Sequence, residues 1–141
     1  MSTSSTAMTM LDALERLGDP DASEGPDLRA AFDEATTDAN ADDVLATAPP
    51  TVHAAVARVC LLTAAGRDEE VLALTHGVVA VDDLSAVLVC CRATALARVG
   101  MTAGADDAWK VLNGRHRHAD VRALARHQRD TTAPPARPVG A

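Results

Sequence analysis

Apolar residues recur every three or four positions over most of the chain, the spacing of amphipathic helices. Between Thr51 and Gly100 this pattern predicts three helices, separated at Gly66 and at Asp82–Asp83, where glycine ends a helix and aspartate starts one. Further helices are predicted over residues 7–17, 26–36, 102–112 and 118–130, and a weaker one over 41–48. We therefore expect an all-α fold of about six to eight helices.

Two stretches of the chain repeat one pattern at an offset of 34 residues. ARVCLLTAAGRDEEVLALTHGVV is followed by CRATALARVGMTAGADDAWKVLN, and Gly66 and Gly100 stand at the same point between two apolar helix patterns. Five residues after each glycine comes a small or apolar residue, Val71 or Ala105. Units of this kind bury their apolar faces only by stacking on neighbours, which leaves a groove.

The second helix of the first unit is expected to run from Val71 to Val81. Its VVAV stretch favours a strand by propensity, but the repeat offset favours a helix. Gly77 would weaken this helix by about 1 kcal/mol relative to alanine and would allow close approach of a neighbour. The helix from Leu84 to Val99 is apolar on all sides, which predicts a central position.

The two units resemble tetratricopeptide repeats, and the stretch from Cys91 to Asp130 looks like the short, degenerate repeats of this family in high-GC actinobacteria. The resemblance covers about residues 52–130 and implies a right-handed stack of antiparallel helical hairpins, closed by a final helix with a basic face. It also implies non-catalytic binding of a segment of a protein partner in the groove. By the register of the family, the residues that contact the partner would be Arg58, Arg92, Arg122 and His53.

The chain is expected to divide into three regions. Residues 1–24 form a flexible leader with one helix, residues 25–130 the helical repeat domain, and residues 131–141 a disordered tail rich in proline. Met8 and Met10 belong either to an adaptable helix that binds a partner or to a leading segment that packs over the groove.

Charge is distributed unevenly along the chain, whose formal net charge is −7. Residues 1–109 hold 6 arginines and 18 acidic residues (−12), whereas residues 110–141 hold 7 basic and 2 acidic residues (+5). The basic segment is either a solvated helix face or a docking site for an acidic partner or for the acidic N-terminal part of the protein. Besides Arg122, this basic patch contains Arg115, Arg117, Arg126 and Arg129.

A small helical regulator that binds nucleic acid or another polyanion through residues 115–129 is therefore the alternative function. The acidic remainder of the chain and the absence of an aromatic stacking platform disfavour nucleic acid. Self-association through the ends of the short array is a third possibility.

Reactive residue types do not favour catalysis or metal binding. His53 and Cys60 are about 10 Å apart along a helix, too far for a nucleophile–base pair. His116 and His118 flank arginine and lack further ligands. We therefore expect a protein without enzymatic activity or cofactor. Since neither a secretory signal nor an apolar membrane span is evident, we also expect a cytoplasmic protein without a membrane partner. Three cysteines within apolar helix patterns are expected to be reduced and buried: Cys60, Cys90 and Cys91.

Overall fold

The computed structural model describes residues 9–15, 28–36, 51–112 and 119–132. Within these ranges it contains seven helices and no strand, which confirms the all-α prediction. The weak helix expected over residues 41–48 lies outside the described residues. Helix α1 covers residues 9–15, and the others are α2 (Leu28–Ala35), α3 (Val52–Ala64), α4 (Asp68–Leu74), α5 (Asp83–Arg98), α6 (Thr102–Val111) and α7 (Ala119–Thr132).

Helix α5 lies at the centre of the fold, as its apolar pattern predicts. It contacts α3, α4, α6 and α7. Its buried side chains are mostly small, since alanine, cysteine and valine predominate among them. Small side chains allow several neighbouring helices to approach one axis, and a helix that is apolar all round has to be covered on every side.

The turns at the ends of α3 and α5 have the same backbone conformation. Gly66 and Gly100 adopt φ angles of 80° and 88°, a region that residues with a side chain rarely enter. The next amide in each turn donates to a carbonyl five residues back: Arg67 N to the carbonyl of Leu62 at 3.0 Å, and Met101 N to that of Leu96 at 2.9 Å. This is the Schellman arrangement, which satisfies the last carbonyls of a helix, and each glycine ends its helix as predicted.

The starts of α3 and α5 are fixed by side-chain caps. Thr51 Oγ1 accepts a hydrogen bond from Ala54 N at 3.0 Å, and Asp82 Oδ1 accepts one from Ser85 N at 2.8 Å. Ser85 Oγ in turn accepts from Asp82 N at 2.9 Å, which completes a capping box. The start of α6 has no such cap, because its N-cap residue, Met101, makes no side-chain hydrogen bond to the helix.

Four helices contact one another in a closed ring. Helix α3 contacts α5, α5 contacts α7, α7 contacts α2, and α2 contacts α3. The residues of α2 that face this core are Leu28, Ala31, Phe32 and Ala35, all of them buried. Met10 and Leu14 of α1 belong to the same core, so the leading segment packs onto the later helices of the chain.

Helix α4 is shorter than predicted, because it ends at Leu74 and does not continue to Val81. Gly77 adopts a φ of 76°, which lies outside the helical region. A Cβ at Gly77 would meet nothing within 4 Å, so the expected close approach of a neighbour is wrong. Valine and glycine are poor helix formers, and Val79 and Val81, which are 69% and 78% exposed, gain little burial that would compensate.

Helix α7 extends slightly beyond its predicted end. It continues through Thr131 and Thr132, the first two residues of the expected tail. Thr132 Oγ1 donates to the carbonyl of Gln128 at 2.7 Å, a bond within the last helical turn. Residues 133–141 lie outside the described residues.

Candidate functional site

Helix α7 presents one apolar and one basic face. Val121, Leu124 and Ala125 are buried against the core. The opposite face is exposed, and its arginines are three or four residues apart, so that their guanidinium groups lie on one side of the helix. Three arginines form this row: Arg122, Arg126 and Arg129. Within the described part of the chain, none of their guanidinium groups has a hydrogen-bond or ion-pair partner.

A cleft of about 450 Å³ lies between α6 and α7 beside these arginines. Both helices pack on α5, but among the described residues they hardly pack on each other. Its floor is apolar and consists of Trp109, Leu112 and Ala125, which are nearly buried. The three arginines stand at its edge together with Asp130. The cleft therefore combines a shallow apolar floor with a positively charged rim.

The surface shared by α3 and α7 is covered by α2. His127 Nε2 of α7 lies 3.5 Å from Asp33 Oδ1 of α2, at the rim of this contact. Both side chains are solvent-accessible, so the pair adds little to the buried apolar contacts of α2. Of the three helices that the resemblance assigns to a partner groove, α3, α5 and α7, a helix of the chain itself therefore packs on two.

The four residues that the resemblance assigns to a partner lie in different environments. Arg92 is half-buried, and its Nη1 donates to the carbonyl of Leu72 in α4 at 3.2 Å. Arg122 belongs to the cleft between α6 and α7, so these two arginines are not brought together. Arg58 and His53 are half-buried on α3, and Arg58 Nε is buried without a hydrogen-bond partner in the described structure.

A second arginine of α5 joins the two helix pairs. Arg98 Nη1 donates to the carbonyl of Thr63 at 2.6 Å and lies 3.2 Å from Asp68 Oδ1. Arg92 and Arg98 thus each donate to a backbone carbonyl in the last turn of a preceding helix, where the negative end of the helix dipole favours a cation. From the sequence, Arg98 is recognisable only as a charge on an apolar helix. Its ion pair joins residues 30 apart, for which no local pattern exists.

The cysteines are free and buried, as predicted. The Sγ atoms of Cys60 in α3 and Cys91 in α5 lie 3.9 Å apart. Burial raises the pKa of the Cys60 and Cys90 thiols well above the usual 9.0, because a thiolate is poorly solvated there. Thiols of this kind are poor nucleophiles, and they pack as small apolar side chains.

Two arginines of the predicted basic patch, Arg115 and Arg117, lie outside the described residues. The same is true of His116 and His118. In the ranges that are described, no cluster of three or more potential metal ligands occurs. Among the helices of those ranges, none combines the length and the apolar character that crossing a bilayer requires.

Comparison of the chain with protein-family models, with curated proteins and with solved structures finds no match.

Proposed function

We propose that this chain is a non-catalytic protein-interaction module, an adaptor or scaffold built as a short right-handed stack of antiparallel helical hairpins of the tetratricopeptide type. The observation that supports this most is the repetition of one turn at an offset of 34 residues, with nearly equal φ angles and the same hydrogen bonds at Gly66 and Gly100. Buried residues also recur at that offset, Leu62 with Leu96 and Val71 with Ala105.

The way α2 is held supports binding of a further helix or extended segment. Helix α2 has only eight residues and attaches through one apolar face to α3 and α7. A surface that holds a short amphipathic helix of its own chain has the shape and the polarity to hold one from a partner. A partner segment would either replace α2 or extend the surface beside it, where Arg58 and His53 of α3 are candidate contacts, whereas Arg122 of α7 is a candidate contact in the separate cleft between α6 and α7.

Site-specific photo-crosslinking in the cells that make this protein tests the proposal. A photoreactive residue at His53 should give a discrete adduct that protease degrades and nuclease does not. The same residue at Glu69, which is exposed on α4, serves as the control and should give no adduct. Adducts that nuclease removes, or the absence of any adduct specific to position 53, would contradict the proposal.

The alternative, a regulator that binds a polyanion, is favoured by one observation, the unpaired row of arginines on α7. Under this alternative, reversing the charge of Arg122, Arg126 and Arg129 together abolishes retention of nucleic acid. Light scattering addresses the remaining possibility, since a dimer that persists on dilution would indicate self-association.

A further inference from the structure

We infer that the cleft between α6 and α7 binds a short, extended, acidic segment of the partner protein, with carboxylates on the arginine row and the segment lying over Trp109. This inference rests on the proposed protein-binding function and names the surface and the chemistry of the segment. The surface lies apart from the one that α2 covers.

A second hollow adjoins the cleft along α7, and the two hollows together are called the trough here. The two hollows share Trp109 and Arg129, and the second also touches Ala97, Ala105 and Thr132. From Arg122 to Thr132 the helix rises about 15 Å. A strand advances about 3.3 Å per residue, so the trough accommodates about five residues of an extended chain.

The spacing of the arginines suits carboxylates on alternate residues of such a segment. Arg122 and Arg126 are separated by about 6 Å along the helix axis, and Arg126 and Arg129 by about 4.5 Å. In an extended chain, side chains on one face recur about every 6.6 Å, within reach of flexible arginine side chains. A guanidinium group binds a carboxylate through two parallel hydrogen bonds, and all three arginines are free to do so in the described structure.

The surroundings of the trough favour a segment with separate charges over a continuous polyanion. Asp130 lines the first hollow and Asp106 the second, so each hollow carries a carboxylate that repels phosphate. The ring of Trp109 is only 5% exposed, which leaves too little surface for a base to stack. A peptide places its carboxylates beside the arginines and its neutral backbone beside the aspartates.

Trp109 is the single tryptophan of a chain without tyrosine, so its emission reports directly on this cleft. The probe is an acetylated and amidated pentapeptide of alternating glutamate and leucine, with three glutamates, added to the full-length protein. We expect a saturable change in Trp109 emission that weakens as salt is raised from about 50 to about 500 mM, because exposed charge pairs are screened. The same peptide with glutamine in place of glutamate should bind at least about tenfold more weakly.

Charge reversal locates the site. Arg126→Glu, at the centre of the row, should weaken binding of the glutamate peptide at least about tenfold. Arg29→Glu, an equal change at an exposed position of α2, should alter it less than about twofold. Circular dichroism shows whether both variants keep the wild-type helix content, and anisotropy of a labelled peptide measures binding independently of Trp109.

Several results would overturn the inference. Equal binding of the glutamine peptide would show that carboxylates are not recognised, and equal weakening by Arg29→Glu would show that only net charge matters. A thymidine oligonucleotide with three phosphates that binds as tightly as the glutamate peptide would indicate a polyanion site. If the peptide does not bind while position 53 is crosslinked to a protein, the location is wrong but the proposed function stands. Failure of both experiments would contradict the function as well.

Discussion

The helix pairs α3–α4 and α5–α6 have the same turn but differ in their second helix. In both, a glycine with positive φ and the same hydrogen bonds join the two helices. Helix α4 ends after seven residues, and an exposed stretch rich in valine leads to α5. Helix α6 continues for ten residues and contributes Trp109 to the cleft beside α7. The comparison shows that the turn is fixed locally, and that the length of the second helix depends on the helix propensity of the residues that follow the turn.

The largest expected effect tests whether the first helices of the two pairs are equivalent. Leu62 and Leu96 occupy the same register and are both buried. Leu62→Ala and Leu96→Ala should each lower the free energy of unfolding by about 2–5 kcal/mol, measured by urea denaturation, because each leaves a cavity. Leu74→Ala, at a half-exposed position, serves as the control and should cost less than about 1 kcal/mol. If either substitution lowered the free energy of unfolding by no more than the control does, α3 and α5 would not be structurally equivalent.

The second prediction concerns the buried thiols. Burial raises the pKa of Cys60 and Cys90 in the folded state, so the unfolded chain loses these protons first as the pH rises. The protonated thiols contribute fully to the free energy of unfolding below about pH 9. Above that pH, this free energy should decrease by about 1.4 kcal/mol for each thiol and each pH unit. Apart from the three cysteines, Lys110 is the only side chain that titrates in this range, since the chain has no tyrosine and arginine stays charged.

Urea denaturation at about pH 8, 9 and 10 measures this decrease, and Cys60→Ala should reduce it, because it removes one of the buried thiols. A free energy of unfolding that is independent of pH over this range would contradict the assigned burial.

The third prediction uses four glycines. Gly66→Ala and Gly100→Ala should each cost about 1 kcal/mol, and to a similar extent, because their φ angles are nearly equal and positive. Gly77→Ala should also destabilise the protein, whereas it would stabilise a continuous helix. Gly104 lies inside α6, where an added Cβ makes an ordinary contact with Leu96 Cδ1 at 3.5 Å. Gly104→Ala should therefore stabilise the protein by up to about 1 kcal/mol.

Thermal denaturation of the four variants gives the signs directly. If Gly77→Ala stabilises the protein, the result would contradict the early end of α4 and support the longer helix, to Val81, that the sequence predicts.

The smallest expected effect is the difference in stability between the side-chain caps that start α3 and α5. Thr51→Ala should cost about 0.5–1 kcal/mol and Asp82→Ala about 1–2 kcal/mol, because the aspartate also takes part in a capping box. Asp82→Asn keeps an acceptor oxygen and should cost only a few tenths. Urea denaturation provides the values, and equal losses for Asp82→Asn and Asp82→Ala would show that the cap is not the cause.

The features that the sequence predicts correctly have local causes. Thr51 and Asp82 begin helices and Gly66 and Gly100 end them through hydrogen bonds between residues no more than five positions apart. The early end of α4 is also local in origin, but the repeat offset predicts a longer helix than the poor helix propensity around Gly77 allows. A helical pattern also places the arginines of α7 on one face.

The cleft beside those arginines and the contacts of α5 could not be predicted. The cleft exists because α6 and α7 both lie against α5 without packing closely on each other. The bond from Arg92 to the carbonyl of Leu72 spans 20 residues, and the approach of Cys60 to Cys91 spans 31. Contacts of this kind depend on the arrangement of whole helices, for which one sequence contains no direct signal.

Backbone NMR assignment of the full-length protein tests the equivalence of the two turns most directly. We expect positive φ at both Gly66 and Gly100, slow exchange of the amides of Arg67 and Met101, and loss of helical shifts after Leu74. Negative φ at either glycine, or helical shifts that continue through Gly77 to Val81, would contradict this equivalence and the local origin of the turns.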